Sequence, residues 1–446
     1  MLGTMSKQVV GMGLIVLFLG YSFSASVNGA CPVSCGGGWV EARDGIQILH
    51  VNGSYYAMGY QEGFLLKEAL GENYRAFLNY AAKRGYSYAR LLSIWADMEP
   101  YMPEAYLQEL QGEADGSQVS FVNVSILSFG WFVLVNCGSF AAWGNATVDG
   151  SLYHARSSDL SLSIQDPVTG RCIQENQVLL VRRPAEGYAS VSVSSAGEIG
   201  CESGFNAQAV AVGMLSSWST DETRDGIEIG MRIRMVLDHA ATADEALRIL
   251  TSNRTLGYNC IVSDAKIPMG FAVETNAASY YVGTWNSSSE GTWPFWQIPN
   301  VVRRANLYVD PVMAASQRHW YNPSYLPLVS MLLKVNTMSG TTFSASAPWV
   351  HYEAISNGVE HHWGTLTLNS TMNVLRNIYL GKTDVRFWIM QKTRQYASVH
   401  QWVANPLTGE FVVAFATKNK NAYETPVHYF RLTDLLKENP PVRSAP

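Results

Sequence analysis

Amide hydrolysis by a cysteine needs a thiolate, a group that takes its proton, and donors for the oxyanion that develops. Cys137 stands in Val135-Asn136-Cys137-Gly138-Ser139-Phe140, and Tyr153-His154-Ala155-Arg156-Ser157-Ser158-Asp159 follows it. A cut between Asn136 and Cys137 would make the cysteine an N-terminus carrying its own α-amine, whose ordinary pKa of about 7.7 to 8.0 makes it a base near neutral pH. Arg156 then suits the role of the cation that depresses the thiol, and Asp159 that of the anion beside the amine. On a strand from 152 to 159, Arg156 and Ser158 share one face, and Asp159 has to reach the site from the strand end. Two plainer readings stay open on the residues alone: a structural ion pair for Arg156 and Asp159, and half of a disulfide for Cys137.

The elements that must position these groups change character at Cys137. Before it, Ile46 to Val51 alternates like a strand, and residues 56 to 115 read mainly as helix, with Pro103 at the start of one of them. After it come strands at Gln177 to Arg183, Tyr188 to Ser194 and Ala207 to Leu215, then helices at Glu228 to His239 and Thr242 to Thr251. The second helix opens on a capping box, Thr242-Ala243-Asp244-Glu245. A second sheet is expected from Cys260 to Ser263, Gly270 to Glu274 and Tyr280 to Val282, and a hairpin from Ser398 to Ala416 around Asn405-Pro406-Leu407-Thr408-Gly409. Strand groups separated by a helix pair imply a layered arrangement of antiparallel sheets rather than a doubly wound parallel fold.

Composition bounds the function. The chain has 446 residues, 47% hydrophobic and 15% charged, enough for one large domain or two modest ones. A net charge of -5 without a basic run leaves no footprint for nucleic acid. Lys7 ahead of the apolar run from Val9 to Gly20 reads as a secretory leader over residues 1 to 30, with an uncleaved anchor as the alternative. Export to a secreted, extracytoplasmic or lysosome-like compartment agrees with glycosylation sequons at Asn52, Asn123, Asn145, Asn253, Asn286 and Asn369. In such a compartment Cys31 with Cys35 and Cys172 with Cys201 are the expected disulfides, leaving Cys137 unpaired and Cys260 buried.

Signatures of other chemistry are missing: no Gly-x-Ser-x-Gly elbow, no His-Glu-x-x-His, no P-loop and no dinucleotide fingerprint. His351 and the adjacent His361 and His362 lack the acidic spacing of a metal site, so no metal or cofactor is expected. Two rivals remain: a papain-like hydrolase pairing Cys137 with His154 or His400, and an extracellular binding protein without catalysis. Trp143, Trp218, Trp285, Trp293 and Trp296 could line an apolar pocket, although core positions suit most of them.

Taken together, Cys137 with Ser139-Phe140-Ala141-Ala142 and the run from Tyr153 to Asp159 resembles the N-terminal-nucleophile hydrolases of the isopenicillin-N acyltransferase type. More distantly it is similar to bile-salt hydrolases and penicillin V acylases. The resemblance extends to Asn52 through Gly63 before the nucleophile and to the Ser398–Ala416 hairpin after it. It implies a four-layer αββα sandwich of antiparallel sheets in residues 137–446, preceded by a mainly helical prosegment, 31–136, that stays bound as a small subunit after cleavage of Asn136-Cys137. It implies Cys137 as nucleophile with Arg156 and Asp159 around it. In Arg303-Arg304-Ala305-Asn306, Asn306 falls where the family places an oxyanion-hole Asn, and Arg318 falls near its second active-site Arg. Ser216 occupies the place of another active-site Asn in bile-salt hydrolases and becomes a candidate substrate contact. The implied partner is a small N-acyl amide. If an amine or thiol competes with water for the acyl-enzyme, the same site is an acyltransferase using acyl-CoA or another acyl donor, and a homo-oligomer is compatible with either.

Overall fold

Three short strands, β1 (Val33–Cys35), β2 (Gly38–Arg43) and β3 (Ile46–Gly53), open the computed structural model, which describes residues 33–130, 136–318, 347–394 and 397–438. The leader, Cys31 and the linker immediately before Asn136 lie outside these residues. Ser54 then caps α1 (Tyr55–Leu65), its hydroxyl accepting from the Ala57 amide at 3.2 Å, as expected of a side-chain oxygen at an N-cap. Helices α2 (Lys67–Lys83), α3 (Tyr88–Met98), α4 (Glu104–Ser117) and α5 (Phe121–Gly130) follow in the described residues before Cys137.

The strands that follow are β4 (Asn136–Gly144), β5 (Gly150–Leu160), β6 (Gln177–Pro184), β7 (Ser190–Ser195), β8 (Ser203–Asn206) and β9 (Val210–Ser216). After β9 come α6 (Ile229–His239) and α7 (Ala243–Thr251), and the capping box is present at Thr242 and Glu245. Next in the chain are β10 (Tyr258–Asp264), β11 (Met269–Thr275), β12 (Tyr280–Gly283), β13 (Val301–Arg304) and α8 (Pro311–Ser316). The described chain ends with α9 (Ala347–His361), α10 (Leu368–Tyr379), α11 (Val385–Arg394), β14 (Ala397–Asn405), β15 (Glu410–Phe415), β16 (His428–Arg431) and α12 (Leu432–Lys437).

The fold is mixed α and β with two sheets, and their membership corrects two expectations. Strands β10 to β12 form no second sheet: β10 pairs antiparallel with β9, Tyr258 opposite Ser216, so the α6–α7 pair is an excursion between neighbours of one sheet. That sheet has ten strands in the order β1-β2-β3-β6-β7-β8-β9-β10-β11-β12. Nor is it wholly antiparallel, because β3 runs parallel to β6 with Leu49 opposite Leu180. The segment before Cys137 is therefore not only helical; it contributes three strands, and its removal would expose the edge of β6.

The other sheet, β13-β4-β5-β14-β15-β16, holds β4, the strand of Cys137, between two neighbours. Apolar residues tie the parts together. Ile48, Leu179, Val181 and Phe205 of the ten-stranded sheet pack with Trp402, Phe411 and Val413 of the six-stranded one. Tyr352, Ile355 and Ile378 of α9 and α10 pack with Phe140, Ala155 and Val403, residues of the six-stranded sheet. Leu110, Phe77 and Leu127 of the early helices pack with Leu180, Met214 and Val262 of the larger sheet.

The expected Cys172–Cys201 disulfide is absent: both are free buried thiols. Each is held by its own backbone on a separate element. Cys172 bridges to Gln165 and caps a short 3-10 turn, while the Cys201 amide donates to Gly230 in α6. Cys260 is buried and free, and Cys35 would need Cys31, outside the described residues. No helix among the described residues is long and apolar enough to cross a membrane.

Candidate active site

Pairing of β4 with β5 sets Cys137 opposite Ser158, Ser139 opposite Arg156 and Asn136 opposite Asp159. Side chains of paired residues leave a sheet on the same face, so Cys137, Arg156 and Ser158 point one way and Asp159 belongs with Ser157 on the other. Every residue from Leu152 to Leu160 is buried, although this stretch contains His154, Arg156, Ser157, Ser158 and Asp159. Burying so many polar groups requires that they be bonded, and apart from His154 Nε2 they are.

Arg156 is the hub. Its Nη2 donates to Cys137 Sγ at 3.0 Å, Nη1 meets Glu202 Oε2 at 2.9 Å, and Nε donates to the Met214 carbonyl at 3.0 Å. His400 Nε2 lies 3.3 Å from Nη1, and Ser158 Oγ donates to Glu202 Oε2 at 2.6 Å. Burial pushes the Cys137 thiol well above its usual range, with Arg156 pulling the other way, so in the intact chain the thiol is neutral. Glu202, also buried, is nevertheless held below the usual carboxylate range by Arg156, His400 and Ser158.

Asp159 takes hydroxyl donors on both oxygens: Ser157 Oγ at 2.9 Å on Oδ1 and Tyr379 Oη at 2.8 Å on Oδ2. Burial pushes it up to about 7 against the lowering effect of Tyr379, Ser157 and Arg156. The Cys137 amide donates to Asn306 Oδ1 at 3.0 Å, while Asn306 Nδ2 donates to the Ser216 carbonyl at 2.7 Å. The loop carrying Asn306 is fixed by Asn259, whose Nδ2 donates to the Ala305 and Leu307 carbonyls at 2.9 and 2.7 Å. In this state Asn306 therefore holds the cysteine nitrogen and spends its own donor on Ser216, which differs from a free oxyanion donor.

Cys137, Arg156, Asp159, Asn306 and Ser216 are thus brought together, Ser216 through its backbone. Arg318 is not. It is half exposed and pairs with Glu222 at 3.2 Å, on the rim of a separate cavity. Neither histidine of the papain-like alternative bonds the thiol: His154 Nδ1 lies 2.6 Å from Ser263 Oγ and its ring stacks on Trp402, and His400 meets Arg156. His351 sits apart from His361 and His362, its Nε2 3.2 Å from Tyr379 Oη. Glu202, Tyr379, His351, Asn259 and the Met214 carbonyl are parts of the site that sequence reasoning missed.

The cavity has a volume of about 230 Å³ and is lined by Phe77, Leu91, Trp95, Met98 and Phe129 on one side and by Trp218, Leu256 and Tyr258 on the other. Cys137 is not among its lining residues; the link runs through Tyr258, registered opposite Ser216, whose carbonyl accepts from the Asn306 amide group that also holds the Cys137 nitrogen. Of the five tryptophans considered for a pocket only Trp218 lines it. Trp143 is core, with Trp285 packed against its cluster, Trp293 is exposed, and Trp296 lies against Arg303 and Tyr352.

The family model of acyl-coenzyme A:6-aminopenicillanic acid acyl-transferase matches residues 158–289. This shows the resemblance at family level; the matched stretch includes Asp159, Glu202 and Ser216 and begins just after Cys137 and Arg156. An uncharacterised protein of Archaeoglobus fulgidus is 24% identical over 345 residues, 67% of this chain and 56% of that protein. The chain spans about half the length of the first curated relatives it matches. Among solved structures, it is similar to the Caenorhabditis elegans N-acylethanolamine-hydrolyzing acid amidase ortholog, with a TM-score of 0.38 and 13% identity over 61% of this chain and 93% of that one. It is also similar to penicillin V acylase from Agrobacterium tumefaciens, with a TM-score of 0.36 and 14% identity over 67% and 86%.

Proposed function

We propose that this chain is an exported, self-processing cysteine hydrolase of the N-terminal-nucleophile type that cleaves the amide bond of an N-acyl substrate through an acyl-enzyme on Cys137. The observation that carries the reading is the two-ended hold on Cys137: Arg156 Nη2 at 3.0 Å from the sulfur and Asn306 Oδ1 at 3.0 Å from the nitrogen. A structural cysteine needs neither contact. The two sheets, with helices packed against each, support the four-layer arrangement expected of such enzymes.

In processing, the Cys137 sulfur attacks the Asn136 carbonyl carbon, the Asn136–Cys137 C–N bond breaks, the nitrogen leaves as an amine after gaining a proton, and water hydrolyses the resulting thioester. In turnover the freed amine takes the thiol proton, the sulfur attacks the substrate carbonyl, and the proton passes to the departing amine. Arg156 favours the thiolate once cleavage opens the site to solvent, and Asp159, opposite Asn136, stands one residue from the new N-terminus. For Asn306 to serve the oxyanion, its Nδ2 exchanges the Ser216 carbonyl for the developing charge. Water completes hydrolysis; an amine or thiol in its place makes the enzyme a transferase. The apolar cavity beside Tyr258 suits a hydrophobic acyl group.

The segment before the cut stays bound because β3 is laddered to β6 and the early helices share a core with the larger sheet. Export is supported by the sequon asparagines, each at least partly exposed. Intact mass and N-terminal sequencing of purified protein test the reading: two associated chains, the larger starting at Cys137, are expected, and Cys137→Ala stays whole and inactive. A single uncut chain with Cys137→Ala fully active toward N-acyl amino acids, penicillins and conjugated bile salts overturns it.

A further inference from the structure

Behind Asp159 lies a second layer of polar groups that the chemistry above leaves unused. Tyr379, the last residue of α10, is fully buried and donates its hydroxyl proton to Asp159 Oδ2 at 2.8 Å. That proton being committed, His351 Nε2, 3.2 Å away, must be the donor to Tyr379 Oη. His351 stacks face to face on Phe387 with ring centroids 4.2 Å apart, and burial lowers it to about 3, so it is neutral and has one N–H to give. The Tyr379 ring is clamped edge-on by His351 and Phe387 and stacked on Tyr423. The nucleophile strand makes room for this layer: a Cβ at Gly138 would fall 2.6 Å from His351 Nε2, so the residue after Cys137 has to be glycine for His351 to reach Tyr379.

We propose that Tyr379, supported by His351, is a positioning residue of the catalytic site, fixing the carboxylate of Asp159, which strand pairing sets opposite Asn136 and one residue from the nitrogen that cleavage liberates. This deepens the function proposed above and rests on it for the link to turnover. The geometry goes beyond packing, because the hydroxyl joins His351 on one side to the Asp159 carboxylate on the other. The other groups that face Asp159 are Ser157 and Arg156 on its own strand, Glu202 and Cys137 across the sheet, Ser398 through Ser157, and Tyr423 beside Tyr379. Of the groups that favour its ionised form, Tyr379 is first, ahead of Ser157 and Arg156. Removing the phenol therefore leaves Oδ2 without a donor in a dry environment, which favours the protonated acid.

The test compares Tyr379→Phe with the parent, and His351→Gln as a milder change that leaves the phenol in place. In the uncut Cys137→Ala chain, the ¹³C carboxylate signal of Asp159, assigned by its loss in Asp159→Asn, is followed against pH. Tyr379→Phe is expected to raise the Asp159 titration by about one pH unit, and His351→Gln by less. With Cys137 intact, the acid limb of the self-cleavage rate should move up by the same amount, with cleavage at pH 8 within about threefold of the parent and at pH 5.5 about tenfold slower. A tyrosine that merely packs would lower the rate and the Tm alike at every pH and leave the titration unmoved, and that result overturns the proposal. A parent chain that never cuts itself counts against the proposed function, while the Asp159 titration still decides the role of Tyr379.

Discussion

Two of the buried polar clusters among the described residues are built on opposite plans. Around Cys137, Arg156 spends all three of its nitrogens on partners, and both Asp159 oxygens accept hydroxyls. Where α1 and α4 meet the larger sheet, partners are missing: both Glu113 oxygens, Glu62 Oε1, Glu109 Oε2, Arg182 Nε and Arg234 Nη2 are buried without a hydrogen-bond partner among the described residues. Arg234 does pair with Glu109 at 3.1 Å and with Asp238 at 3.0 Å, but no cation reaches Glu113. A satisfied network can hold ionised groups at fixed distances, which chemistry requires. An unsatisfied carboxyl is stable in a dry site only as the neutral acid. Burial accordingly pushes Glu62 up to about 7 and Glu113 and Glu198 well above the usual range, while Glu202 in the other cluster is held down. One cluster holds charge in place; the other holds protons, at the junction of the segment before Cys137 with the segment after it.

The largest effect comes from breaking the satisfied cluster. Arg156→Met leaves Glu202 buried without its cation and the Cys137 sulfur without its donor. In urea melts of the uncut Cys137→Ala background it should cost about 3 to 5 kcal/mol, and with Cys137 restored no Asn136–Cys137 cleavage should be seen. A variant as stable as its parent that still cuts itself would show that the two clusters do not differ in the way described.

How much of this contrast was legible in the sequence depends on whether a residue announces itself by local pattern. Strands such as β3, β6 and the β14–β15 hairpin, and the cap at Thr242, follow from alternation and turn chemistry, and they fall where expected. Which strands pair does not follow. Alternation specifies a face and not a neighbour, so β10 returning to β9 across α6 and α7 was read as a new sheet. Cys137, Arg156 and Asp159 stood out because a hairpin brings them together. Glu202, Tyr379 and His351 are single polar residues far along the chain, delivered by other elements, and no spacing relates them to Cys137. Arg318 shows a different case: a charged residue in a suggestive place, which the fold pairs with Glu222 on the rim of the apolar cavity and not with Cys137. The proton-holding cluster did leave a trace, in the matched Gly59/Gly63 and Gly112/Gly116 spacings of α1 and α4.

Neutralising the unsatisfied cluster should have a smaller effect and the opposite sign at neutral pH. Glu62 and Glu113 have folded pKa values above the unfolded value of about 4.3. The folded state then binds more protons, so their contribution is complete below that value and is lost as pH rises toward 7. Glu113→Gln keeps the shape and cannot ionise. Between pH 4.5 and 7.5 the uncut Cys137→Ala chain should lose stability, and adding Glu113→Gln should recover part of that loss at pH 7.5 while changing little at pH 4.5. Asp159, Glu228 and Glu274, each pushed up by burial to about 7, still titrate in the variant, so the slope flattens and does not vanish. Parallel urea-midpoint curves for the two proteins would mean that Glu113 is solvated or paired after all.

The smallest effect tests what makes that cluster dry. The two helices cross backbone to backbone: a Cβ at Gly112 would lie 2.1 Å from the Tyr56 carbonyl oxygen, and one at Gly59 would lie 1.9 Å from that of Glu109. Because the obstacle is main chain, a methyl group cannot be accommodated by a side-chain rotation, and the helices must part. Gly112→Ala should therefore cost about 1 to 3 kcal/mol, reduced somewhat by the better helix propensity of alanine. Its more telling consequence is electrostatic. Parting the helices admits water to Glu62 and Glu113, lowers their pKa values toward those of solvated carboxyls, and so flattens the pH dependence in the same direction as Glu113→Gln. The two substitutions should then be less than additive in their effect on the pH slope, although they touch different residues. Full additivity would separate the close crossing from the proton-holding carboxyls and leave burial by the sheet alone to explain them.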